Sequence, residues 1–153
     1  MRKIKCTLGT IDKAISELKA YQRELEVKYK RFMQALIDRG VEIAKEEAPY
    51  DTGELSESIG GRIDGNKAYI FTDNPYAFFV ECGFGIPGAN SPHPTVSISY
   101  NIKGREVGGS WFYWDQRTGN AGWSHGQPAN PFMYRTALRL SEEVPKIARE
   151  VFG

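Results

Sequence analysis

Ala48-Pro49-Tyr50-Asp51-Thr52-Gly53-Glu54-Leu55 divides the chain, because the residues before it repeat with helical spacing and those after it alternate like strands. Pro49 disfavours helical geometry at Ala48, so the preceding helix is predicted to stop there. Asp51 stands where a carboxylate can cap a new helical turn, and Glu54, three residues on, completes the pattern of a capping box. The stretch therefore reads as a corner.

Asp51-Thr52-Gly53 is also the triplet of aspartic proteases. In that role it ends an apolar strand and needs a second carboxylate near enough to share a proton. Here it follows Ala-Pro-Tyr and occurs once in the chain, which favours the corner.

Upstream, Ile11, Ile15, Leu18, Leu25, Tyr29, Phe32, Leu36 and Ile43 recur at steps of four and three, with polar Gln22 and Arg39 filling two places in the stripe. The spacing predicts a helix from Thr10, a candidate N-cap, to about Glu47, with Gly40 weakening its last third. Such a helix is on the order of 55 Å long. That exceeds what one subunit of this size covers, so part of the stripe is expected to meet another chain, with Gln22 as the polar break in the seam.

Downstream, residues 58–63 and 67–71 flank Asp64-Gly65-Asn66 and predict a hairpin. Asn74-Pro75 reads as a cap and first helical residue before a short buried helix, Tyr76-Ala77-Phe78-Phe79-Val80-Glu81-Cys82, that stops at Gly83. Glu81 stands out in this apolar run. A carboxylate there must find donors, and backbone N–H groups of the following loop or an arginine are the expected partners. Thr95 to Ile102 alternates as a strand, and Trp111, Phe112, Tyr113 and Trp114 face Trp123 across Arg117-Thr118-Gly119-Asn120 in a second predicted hairpin. The glycine-rich segments 83–88 and 104–109 around them are expected to be mobile in an isolated subunit. Asn130 and Pro131 open a last helix running to about Phe152, kinked at Pro145.

The totals restrict the classes. With 153 residues, 41% hydrophobic and 25% charged, the chain suits one soluble domain, divided into 1–47 (long helix), 48–126 (sheet with aromatic hairpin) and 127–153 (C-terminal helix). Net charge is +1, with 11 basic and 8 acidic residues in 1–47 against 5 and 8 in 48–126. That balance supplies no cationic groove to accompany the aromatics, which argues against nucleic-acid binding. No apolar run is long enough to span a bilayer or serve as a signal peptide, so synthesis in a cytoplasm is expected. Cys6 and Cys82 are far apart, predicting reduced thiols, and with His93 and His125 they offer no close ligand pair for a metal. No cofactor is expected, and the two histidines are read as loop residues bonding the backbone.

Three segments together carry a resemblance. Residues 48–59 around Pro49, Asp51, Thr52, Gly53 and Leu55, residues 76–83 around Tyr76, Glu81 and Gly83, and residues 126–137 around Pro131 and Phe132 resemble, in order and spacing, three blocks of the tail-component family of long-tailed bacteriophages. Cys82, Phe84 and Asn130 depart from the family's usual residues. The resemblance implies an α+β fold with a long N-terminal helix, a small antiparallel sheet with hairpins, a short buried helix and a C-terminal helix packed on the sheet. It implies a non-enzymatic virion protein made in the bacterial host, forming a six-fold ring at the head–tail junction and contacting connector and tail proteins. Trp111, Tyr113, Trp114 and Trp123 are the candidate partner contacts. The alternatives are a minor tail protein outside the neck and a small hydrolase using Asp51 or Glu81.

Overall fold

The computed structural model describes residues 8–85, 90–96, 111–114 and 119–153. Helix α1 (Leu8–Glu47) leads through the corner to the single turn α2 (Glu54–Glu57), then to strands β1 (Ile59–Asp64) and β2 (Lys67–Thr72) and helix α3 (Ala77–Cys82). After these come β3 (Trp111–Trp114), β4 (Ala121–Ser124), the short β5 (Gly126–Gln127) and helix α4 (Phe132–Phe152). This is the α+β arrangement the sequence predicts, with two corrections: the short helix α3 is only partly buried, since Phe78 and Phe79 stand exposed while Ala77 and Cys82 face the core, and the C-terminal helix packs chiefly along α1 and not on the sheet. Of the strand expected over Thr95 to Ile102 only residues 95–96 are described, outside any strand, and the rest of it and the loop 104–109 lie outside the described residues.

α1 spans 40 residues, about 60 Å. It is already helical at Leu8, so Thr10 lies inside it and is not its N-cap. It ends at Glu47, and Ala48 donates the last helical bond, to the Ala44 carbonyl at 3.0 Å. α4 runs antiparallel alongside it. Arg135 and Arg139 meet Glu47 at 2.6 Å each, Arg39 holds Glu143 with two 2.7 Å bonds, and the Phe32 and Phe152 rings lie 5.5 Å apart. The helix α4 continues unbroken through Pro145.

β1 and β2 form an antiparallel pair from Ile59↔Thr72 to Asp64↔Lys67, closed by Gly65-Asn66. Opposed residues share a face, so Gly61 and Ile70 both look onto α1 while Arg62 lies over the Tyr69 ring on the other side. Two glycines set the depth of this contact. A Cβ on Gly61 would overlap Ile37, and one on Gly40 would overlap Ile70 with Leu140 of α4 close by. Gly40 therefore does more than weaken the helix, since α1, β2 and α4 close together over it.

The core lies where these elements converge. Ala44, Ala48, Leu55, Ile59, Ala77 and Phe132 form one buried cluster, against which Val41, Ile70, Val80 and Met133 pack. Phe132 and Ile43 are fully buried.

Candidate interaction surface

The three blocks singled out in the sequence meet in this core: Ala48, Leu55 and Ile59 from the first, Ala77 and Val80 from the second, Phe132 and Met133 from the third. Glu81 ties the second to the third. Its carboxylate accepts the N–H groups of Met133 at 2.8 Å and Tyr134 at 3.0 Å, the first turn of α4, and a third bond from His93 Nε2 at 3.1 Å. His93 Nδ1 accepts the N–H groups of Thr95 and Val96, so its proton sits on Nε2 and points at Glu81. The Tyr134 ring stacks edge-on against the imidazole, 5.5 Å between centroids. Glu81 thus accepts backbone donors, as its apolar surroundings require, but they come from a helix 52 residues on and not from the loop after Gly83.

That changes the expected capping of α4. Pro131 holds the N-cap position with no side-chain cap of its own, and the first turn contains no acidic residue, so Glu81 supplies the negative charge this helix end favours. Asn130 serves elsewhere. Its amide oxygen accepts Arg135 Nη2 at 2.8 Å, and its N–H donates to the Val80 carbonyl at 2.8 Å. Gln127 Nε2 donates to the Phe79 carbonyl, and Phe84 and Gly85 bridge to Gln127 and Gly126, so segment 126–130 is strapped along α3. Asn74 likewise makes a turn ahead of α3, accepting the Tyr76 N–H through Oδ1, and Tyr76 is the N-cap.

The capping box at the corner does not form. Gly53 is the N-cap of α2 in left-handed geometry, φ 87°, and the nearest hydroxyl, Thr52 Oγ1, accepts the Glu54 N–H at a long 3.4 Å. Asp51 lies two residues before that N-cap, beyond reach of the free N–H groups, and is exposed. Pro49 is half-buried and Leu55 buried.

For chemistry, the two carboxylates have little to offer each other. Asp51 is solvated, and Glu81 is occupied by three donors. Among the described residues no group of His, Cys, Asp or Glu is arranged to hold a metal ion, and Cys82 is buried. The His125 side chain is exposed and bonds no backbone group among those described, contrary to expectation. The shifted groups belong to the α1–α4 seam. Arg135 and then Arg139 hold the Glu47 carboxyl below its usual range, and Arg39 does the same for Glu143. These are structural pairs.

Exposed apolar surface is the more prominent feature. On α1 every residue from Leu8 to Val27 is exposed, including Leu8, Ile11, Ile15, Leu18 and Leu25 of the stripe. Cover begins where Tyr29 donates its hydroxyl to the Asn66 carbonyl at the tip of the first hairpin and where Phe152 reaches Phe32. The projecting part carries two solvated ion pairs, Lys13 with Glu17 and Lys28 with Glu24, each contributing about 0.3–0.5 kcal/mol. A helix of this kind draws most of its stability from packing of its apolar face.

The second surface is the aromatic hairpin. β3 and β4 pair with Trp111 opposite Ser124, Phe112 opposite Trp123, Tyr113 opposite Gly122 and Trp114 opposite Ala121, as predicted. Phe112 and Trp123 touch edge to face at 5.6 Å, yet both, with Trp114, are more than half exposed. Among the described residues the two strands pair only with each other.

No helix among the described residues is long and apolar enough to cross a membrane. No curated protein and no solved structure matches the chain. Residues 12–83 match the family described as "Bacteriophage HK97-gp10, putative tail-component". That stretch runs from the projecting part of α1 through the corner and the first hairpin to the end of α3, and contains two of the three blocks. Over residues 12–83, just under half of its length, the chain is similar to that phage tail-component family.

Proposed function

We propose that the protein is a non-enzymatic component of a phage virion that assembles with copies of itself as a ring, six-fold by analogy with tail symmetry, between the capsid connector and the tail. The family match over residues 12–83 carries this reading. The molecule's surface supports it: exposed apolar residues lie along half of α1 and on the aromatic hairpin, while Glu81 serves as a helix cap and Asp51 stands in solvent.

The aromatic hairpin suits a docking element that firms up on its partner. A two-stranded hairpin is marginal in water by itself, and packing Phe112, Trp114 and Trp123 against a neighbour supplies the burial it lacks. Joining would then occur only on a correctly formed partner, with candidate contacts at Trp111, Tyr113, Trp114 and Trp123. Deleting residues 105–124 tests this. The variant is expected to keep its far-ultraviolet circular dichroism and to leave heads and tails unjoined in infected cells. Joining at the wild-type frequency would overturn the reading.

A further inference from the structure

We propose that residues 8–29 of α1 form a parallel helical seam with the same residues of a second copy of this chain; the inference rests on the reading of the protein as a self-assembling component. Leu8, Ile15, Gln22 and Tyr29 fall on one core position of a seven-residue repeat and Ile11, Leu18 and Leu25 on the other. All seven are exposed, and beyond Tyr29 the same stripe passes under the molecule's own α4 and first hairpin. The exposed stripe therefore continues a face that already accepts a helix.

The apolar seam residues present on the order of 600 Å² per copy, close to the ~800 Å² per partner of a stable interface. Gln22 decides the orientation. In a parallel seam it meets Gln22 of the second copy, and the two amides satisfy one another. An antiparallel overlap of the same segment sets it against Ile11, where its amide keeps only the 3.1 Å bond it donates to Glu26 of its own helix and gains no partner across the seam. Across the parallel seam Tyr21 flanks Glu26 and Ala14 flanks Lys19, so no like charges oppose one another.

The test uses the full chain carrying Cys6→Ser. Gln22→Cys in that background is expected to give disulfide-linked dimers on mild oxidation. An Ile11→Cys, Gln22→Cys pair that cross-links while Gln22→Cys alone does not would establish the antiparallel arrangement and overturn the proposal. Leu18, two-thirds exposed, can be changed without disturbing the fold. Leu18→Asp is expected to retain the wild-type melting profile of the monomer and weaken association about 100-fold by sedimentation equilibrium. A wild-type protein that stays monomeric at roughly 100 µM, or association that survives Leu18→Asp, would overturn the seam. If the Gln22→Cys cross-link forms but phage carrying Leu18→Asp join heads and tails normally, the seam stands and the ring function falls.

Discussion

Replacing Glu81 by alanine separates a structural carboxylate from a catalytic one. The side chain accepts three hydrogen bonds, from Met133 N, Tyr134 N and His93 Nε2, and is 16% exposed. Loss of a helix cap costs about 1 kcal/mol. Stranding the buried His93 donor adds roughly 1–3 kcal/mol, so the total loss should be about 3 kcal/mol. For a chain of this length that corresponds to a fall in melting temperature of roughly 6–12 °C. Glu81→Gln should lose about 2 kcal/mol. One amide oxygen can still face the helix, but the NH2 group then confronts the His93 N–H, whose other nitrogen is held by Thr95 and Val96. Urea denaturation followed by circular dichroism reads both variants, with the slope unchanged. A Glu81→Ala protein within 0.5 kcal/mol of wild type would refute the capping role, and loss of a hydrolytic activity at unchanged stability would restore the enzyme reading.

Other consequences follow from the same geometry. Gly40→Ala places a methyl group against Ile70 and Leu140 and should destabilise by about 1–3 kcal/mol; thermal melting would show it, and an unchanged melting temperature would mean that β2 and α4 do not close over α1 there. Asp51→Ala should stay within about 0.5 kcal/mol of wild type by denaturation, since the residue is exposed and caps nothing. Glu47 and Glu143 have folded pKa values below their ordinary value of 4.5, so their ion pairs stabilise the fold above that pH. This stability should drain away as the medium is acidified from about pH 4.5 downward, and Glu143→Gln should flatten that part of the stability profile.

What was legible in the sequence was local. The 4-3 stripe gave α1, Asp64-Gly65-Asn66 gave the first hairpin, and aromatics either side of a glycine turn gave the second. What was not legible depended on residues distant in the chain. Asp51 and Glu54 have the spacing of a capping box, but Gly53 takes the N-cap place in left-handed geometry. Asn130 before Pro131 looks like a cap, but Arg135 and the Val80 carbonyl engage it, and Glu81 caps α4 from another helix. A signal for that was present: an unsupported carboxylate in an apolar run, and a helix whose first turn carries no acid of its own. The Arg39–Glu143 pair and the fit of Gly40 beneath Ile70 left no comparable trace, because neither involves neighbours in sequence.

The proposed role is tested most directly by seeing where the protein binds. Purified protein mixed with tail-less phage heads and imaged by electron microscopy should add an annular density at the single connector vertex of each head. Heads that gain no density there, or protein distributed along assembled tails instead, would contradict the account.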